Sequence, residues 1–280
     1  MSIFKPGLYI VSTPIGNLND ITFRSLDVLK NSDIILCEDT RRSLKILNHF
    51  DIKKKLISYH KFNEKKELVK IIEYLKKGKI LSLISDAGTP TLSDPGHYLI
   101  RECVKENINI IPIPGPSSIT TAMSISGFED RFIFYGFLPK KQNDLTKVLE
   151  SLSNLNFSLI FFIPAIKINF YINNFRKYFL DRDLLIAREM TKLHETFYRD
   201  KIDKIKNFST RLKGELTVII SKKKKNKNQI KKEPNVKAQA KKLLKKYSLK
   251  DVVELISRKE KISKKKIYKI CLELKYEKNI

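Results

Sequence analysis

The sequence contains no Trp, three Met, three Cys and nine Gly in 280 residues, and each shortage excludes something. The cysteines, Cys37, Cys103 and Cys271, are odd in number, far apart and in no metal-ligand spacing. They argue against a disulfide framework and a zinc site, and each suits a small buried hydrophobe in a reducing compartment. No G-x-G-x-x-G occurs, so the dinucleotide fingerprint has no support. No P-loop, nucleophile elbow or His-Cys-Asp set takes its place. Long apolar runs are also missing. The longest, Leu159 to Ile166, is far short of a membrane span and contains Pro164. The opening Met1-Ser2-Ile3-Phe4-Lys5-Pro6 lacks the apolar core of a signal peptide. A soluble cytoplasmic protein without metal is expected.

What is present is enough apolar material, 42% with 10% aromatic, for one or two cores. The formal charge is +26 and uneven. Residues 221–280 carry 22 Lys and Arg against 6 Asp and Glu, a net +16, and residues 1–220 carry 34 against 24, a net +10. An abundance of Lys, Asn and Ile is what an AT-biased genome produces whatever the function, so the body's charge carries little weight. The tail's charge is concentrated, and it points to a polyanionic partner, nucleic acid ahead of a membrane surface.

Short apolar runs alternate with helical patterns along the first half. Strands are expected at Leu8–Val11, Asp33–Cys37, Leu56–Tyr59, Ile80–Ile84 and Asn109–Ile113, with helices between them, the last opening near Asp94-Pro95. This is an α/β unit with a largely parallel sheet. The pattern resumes after Gly127 with strands at Phe132–Phe137, Ser158–Ile163, Leu184–Ala187 and Glu215–Ile220, a second α/β unit. Lys222 begins a charge run without apolar period, read as a linker over 222–235. Three short helices follow over 236–280. They suit a helix-turn-helix module or a plain helical hairpin, and periodicity does not separate the two. The expected divisions are 1–116, 117–221, 222–235 and 236–280.

Two strand ends stand out. Ile80–Ile84 stops at Ser85-Asp86-Ala87-Gly88-Thr89-Pro90, and Asn109–Ile113 stops at Pro114-Gly115-Pro116-Ser117-Ser118. Loops of Gly, Pro and Ser at strand ends let the main chain approach a ligand, and open α/β folds bind there. Taken alone, such loops are more often just tight turns, and Ser117 suits a helix N-cap. The charged cluster Glu38-Asp39-Thr40-Arg41-Arg42 ends the second strand, and Arg41 and Arg42 suit phosphate contacts or a solvated helix start.

The strings TPIGN (13–17), CEDTRR (37–42), ISYH (57–60), SDAGTP (85–90), SDPG (93–96), PIPGPS (112–117), GFLP (136–139) and REMTKLHE (188–195) occur in this order. Together they closely resemble the bacterial small-subunit ribosomal RNA 2′-O-ribose methyltransferases called methyltransferase I, in the tetrapyrrole methylase superfamily. The resemblance runs from Leu8 to about Ser221, with a weaker match over Ser248 to Leu274 to that family's C-terminal helix-turn-helix segment. It implies a two-lobed fold with S-adenosylmethionine between the lobes, usually a homodimer. The implied reaction is methyl transfer to the ribose 2′-oxygen of a decoding-centre cytidine in small-subunit RNA. Carried over position by position, the cofactor residues are Ile15, Gly16, Asp86, Gly88, Thr89, Ser117 and Ser118. Glu38, Asp39, Glu189, Lys192 and His194 are the candidates for a general base or an oxyanion-stabilising cation, with Glu38 and Lys192 the expected catalytic pair. Asp39, Arg41, Arg42, His194, Lys264 and Lys265 are the expected RNA contacts. One loop departs from the family: Ile163-Pro164-Ala165-Ile166-Lys167 stands where Glu-Ser-Pro-x-Arg is usual. A small-macrocycle methyltransferase and a non-catalytic RNA-binding assembly factor are the alternative readings.

Overall fold

The computed structural model of the chain describes residues 4–129, 131–223, 236–260 and 262–276. Most of the expected linker, 224–235, lies outside the described residues. Two compact units fall within Met1–Lys223 and Lys224–Ile280.

The first sheet has five parallel strands, β1 (Gly7–Val11), β2 (Ile34–Cys37), β3 (Lys55–Ser58), β4 (Ile80–Ile84) and β5 (Ile110–Ile113), in the order β3-β2-β4-β1-β5. Strands buried on both faces read as near-continuous apolar runs, and alternate residues here feed two cores. Leu8, Leu36, Leu81 and Leu83 pack with α3 (Glu64–Lys76) and α4 (His97–Lys105). Tyr9, Val11, Ile35 and Ile84 pack with α1 (Phe23–Asn31) and α2 (Thr40–His49). The chain therefore leaves β1 toward one face and β4 toward the other, although β1 and β4 are neighbours. That reversal is a topological switch point, where the crevice outside the strand ends opens.

The helix expected from Asp94-Pro95 begins instead at His97. Gly96 (φ 126°) breaks the helix before His97, and Thr91 (φ 71°) and Ser93 (φ 72°) take left-handed backbone in the turn ahead of it. The buried Glu64 carboxylate accepts the Gly96 N–H at 2.7 Å and fixes this turn.

The second sheet is mixed: β6 (Phe132–Phe137), β7 (Ser158–Pro164), β8 (Asp183–Arg188), β9 (Thr196–Lys201) and β10 (Glu215–Ile220), ordered β6-β7-β10-β8-β9. Within this sheet, among the described residues, β6 and β7 pair in parallel and the other pairs are antiparallel. The edge strand β9, Thr-Phe-Tyr-Arg-Asp-Lys, was not expected, because its charged outer half hides a strand pattern while protecting a sheet edge. One face is covered by α6 (Gln142–Ser153) and α7 (Ile168–Tyr178), which meet Phe161 and Ile186. The other is covered by α5 (Ser118–Ser124), whose Ile119 and Ala122 meet Ile160, Leu185, Ala187 and Ile219. Ile15 of the first lobe packs against that same cluster, so the lobes share an apolar seam.

The second unit holds α8 (Val236–Leu243), α9 (Leu249–Glu260) and α10 (Lys264–Tyr276) around Ala240, Val252, Ile256, Ile267 and Cys271. Ser248 Oγ accepts the Asp251 N–H at 3.3 Å at the start of α9, a side-chain cap. All three cysteines are free and buried.

Candidate active site

Three strand-end loops of the first lobe are tied into one rim. Thr13 and Gly88 exchange both backbone hydrogen bonds at 2.9 Å. The Thr13 hydroxyl donates to the Ser85 carbonyl at 3.1 Å. Thr89 Oγ1 donates to the Pro116 carbonyl at 3.2 Å and shares a 3.0 Å hydrogen bond with Ser12 Oγ. Gly88 makes the crossing possible: its φ of 81° is left-handed, a backbone conformation that a side chain disfavours.

The rim faces the second lobe across a cavity of about 470 Å³, within the ~300–1,000 Å³ of small-molecule sites. The first lobe and the start of α5 line it with Ile15, Glu38, Arg42, Asp86, Ala87, Gly88, Thr89, Leu92, Ser93, Asp94, Ser117, Ser118 and Ile119. The second contributes Phe137, Phe162, Ile163, Pro164, Ala187, Glu189, Met190, Lys192, Gly214, Glu215, Leu216 and Thr217. The departing loop thus gives the wall two apolar residues, Ile163 and Pro164, while Lys167 is not among the lining residues.

The wall is acidic in a strongly basic protein. Burial pushes the Glu38 carboxyl up, and neighbouring Asp86 adds to this against the opposing pull of His60 and Arg42. Asp94 is pushed up to about 7, by burial first and then by Glu38, Asp86 and Glu215. Glu189 is held below the usual carboxylate range: burial raises it, but the Glu215 N–H at 3.0 Å and Lys192 Nζ at 3.1 Å outweigh that. Asp86 accepts from the Asp39 N–H at 3.2 Å and from Arg42 Nη1 at 3.0 Å. Five carboxylates against two cations select a small ligand that itself carries positive charge.

Of the residues singled out from sequence, Ile15, Glu38, Arg42, Asp86, Gly88, Thr89, Ser117, Ser118, Glu189 and Lys192 reach the cavity. Ser117 holds the N-cap position of α5, yet its side chain makes no cap bond. Gly16 lies outside the lining. It sits where a Cβ would fall 2.5 Å from Lys192 Cγ and 2.6 Å from Thr191 Oγ1, and the adjoining Asn17 N–H donates to that Thr191 oxygen at 3.0 Å. Gly16 therefore allows the lobes to touch. Asp39 caps α2 and takes a bidentate pair from Arg41 Nε at 3.1 Å and Nη2 at 2.8 Å, away from the lining. Arg41 holds the Asp39 carboxyl well below its ordinary range. His194 is exposed beyond the lining, and Lys264 and Lys265 are exposed on the first turn of α10 in the second unit. Sequence reasoning did not single out Asp94 or Glu215. Asp94 lay inside a quoted motif, but its carboxylate neighbours come from three other segments.

The two lobes, the switch point and an acidic crevice at the strand ends define a two-lobed α/β protein that binds a small ligand between its lobes. The sequence profile of the Tetrapyrrole (Corrin/Porphyrin) Methylases matches residues 7–206. The chain belongs to that family, and so is an S-adenosylmethionine-dependent methyltransferase. It is 44% identical over 217 residues to a Thermotoga maritima protein named Ribosomal RNA small subunit methyltransferase I, covering 76% of this chain and 97% of the relative. A protein of the same name from Rickettsia prowazekii is 42% identical, covering 98% of this chain and 99% of the relative. Two solved structures share the fold. The methyltransferase CobJ matches with TM-score 0.60 and 14% identity, over 77% of this chain and 94% of that one. A uroporphyrin-III C-methyltransferase from Thermus thermophilus, complexed with S-adenosylhomocysteine, matches with TM-score 0.55 and 11% identity, over 77% and 97%.

The cavity's donor set suits the methyl donor. Asp86 offers carboxylate oxygens, Ser117 and Ser118 offer hydroxyls, and the left-handed Gly88 leaves space beside Ile15. The surplus of acid suits a sulfonium cation.

Proposed function

We propose that this protein methylates the ribose 2′-hydroxyl of a cytidine in the decoding region of small-subunit ribosomal RNA, acting in the cytoplasm as a homodimer. The observation that carries the reading is the meeting of the TPIGN, SDAGTP and PGPSS loops with the 187–192 segment around one acidic cavity. The names of the relatives supply the substrate class, and the concentrated positive charge of 221–280 agrees with it.

Ile15, Gly88 and Thr89 form the floor for the donor, and Asp86, Ser117 and Ser118 bind its polar groups. Gly16 acts through Lys192, which it lets lie close. The bound donor supplies an electrophilic methyl group, and the chain's residues do the rest. Positioning the ribose oxygen in line with that methyl removes up to ~7–11 kcal/mol of barrier. Lys192, steered by Glu189, keeps a positive charge beside the oxygen, and Glu38 orients the ribose. Arg42, exposed at the mouth, exchanges its Asp86 partner for a phosphate once the donor engages Asp86. Asp39 aims Arg41 toward RNA through its bidentate pair, and His194, Lys264 and Lys265 add phosphate contacts. The test is transfer of labelled methyl from S-adenosylmethionine to small subunits lacking the modification, with ribose methylation then mapped. A single cytidine 2′-O-methyl in the decoding region is expected. Label on a base, or none with the donor bound, would overturn the reading.

A further inference from the structure

We propose that Asp94 is the catalytic base, its carboxylate accepting the proton of the ribose hydroxyl that receives the methyl group. The inference rests on the ribose-methylating reading of this cleft.

Asp94 lies half-buried on the cavity wall, in a turn the protein holds in costly geometry. Thr91 and Ser93 are non-glycine residues in left-handed backbone, a conformation that persists only where the surroundings over-determine it. Two anchors do so. Glu64 accepts the Gly96 N–H at 2.7 Å, and Ser93 Oγ packs where a Cβ on Gly136, at the β6 bulge, would fall 2.9 Å away. The turn is thus wedged between α3 and the second lobe, and it carries Asp94 into the gap.

Two of the cavity's other acids are occupied, while Glu38 and Glu215 are without a side-chain hydrogen bond among the described residues. Asp86 is bonded by the Asp39 N–H and Arg42, and Glu189 by the Glu215 N–H and Lys192. Among the described residues no hydrogen bond or ion pair engages the Asp94 carboxylate. The charged groups that act on it are all carboxylates: Glu38 and Asp86 from the first lobe and Glu215 from the second. Arg42 and His60 bear on Glu38 instead. Burial and these neighbours bring Asp94 to about 7, where a base is both ionised and strong at working pH. Lys192, paired with Glu189, is the cation of the site and not its base.

As the ribose oxygen bonds to the methyl carbon, the carbon–sulfur electron pair stays with sulfur and the hydroxyl proton passes to an Asp94 oxygen. A cation in the cleft favours ionised Asp94, so near pH 7 binding of the cationic donor expels a proton. The neutral demethylated product expels less.

The experiment titrates the full-length protein with S-adenosylmethionine calorimetrically at pH 7, in buffers of different ionisation heat. Wild type, Asp94→Asn and Asp94→Glu are compared, and the pH profile of methyl transfer to small subunits lacking the modification is measured for each. Wild type should release a fraction of a proton. Asp94→Asn should release none while still binding the donor, and transfer methyl about 10²–10⁴-fold more slowly without a rise through pH 7. Asp94→Glu should restore part of both. Unchanged proton release in Asp94→Asn, or transfer near the wild-type rate with the same profile, overturns the assignment. Wild-type protein that binds the donor, releases the proton and yet methylates no ribose overturns the functional reading instead, and the base assignment falls with it.

Discussion

Gly16 and Asp94 show how single positions set this site. Gly16 is one of the points at which the lobes touch, with Lys192, Thr191 and the Met190 carbonyl all within 2.9 Å of where a side chain would begin. Gly16→Ala should therefore destabilise the first unit by ~1–3 kcal/mol, the usual effect of overpacking, measured by urea unfolding, and weaken donor binding as Lys192 moves. Asp94 has the opposite sign. Its folded-state value, about 7, lies above its ordinary 3.8, so its ionisation opposes folding. The folded protein holds this proton as pH rises from about 4 and gives it up through 7. Asp94→Asn should thus melt higher than wild type at pH 8, with the difference shrinking toward pH 4. An equal difference at both would contradict the shift. Glycines and acids inside motifs were legible from sequence. Which acids face one another was not, because Glu38, Asp86, Asp94 and Glu215 meet only after two sheets have formed.

At the scale of elements, apolar runs and helical spacing were enough to place the five strands of the first sheet, since strands buried on both faces leave a strong signal. The edge strand β9 left none, because its exposed half is polar. Asp94-Pro95, inside the turn over 91–96, reads as a helix start for a related reason: Asp-Pro is a good helix opening, and left-handed backbone has no signature outside glycine. Its hold is Glu64, six percent exposed and bonded to the Gly96 N–H. Glu64→Ala should lose ~1–3 kcal/mol, the usual effect of leaving a buried donor unsatisfied, in urea unfolding. It should also slow methyl transfer more than it weakens donor binding. Equal losses in both would mean that the turn serves the donor alone.

Over the whole molecule, charge is segregated by function. The cleft gathers carboxylates, while 221–280 carries a net +16. The charge of 221–280 suits a polyanion and that of the cleft a small cation. Deleting 224–280 should weaken ribosomal RNA binding and flatten its dependence on salt, because fewer phosphates are neutralised. Donor affinity should be unchanged, since every cavity residue lies before 218. RNA binding by the truncated protein that matches wild type at every salt concentration would make the tail irrelevant to RNA. The central claim, that the crossed loops around Asp86 hold the methyl donor, is tested most directly by calorimetric titration of wild type and Asp86→Ala with S-adenosylmethionine. One equivalent per chain should bind wild type, and the variant should bind at least about 10-fold more weakly, as expected for a lost charged hydrogen bond, with an unchanged melting curve. Equal affinity in the two proteins would contradict it.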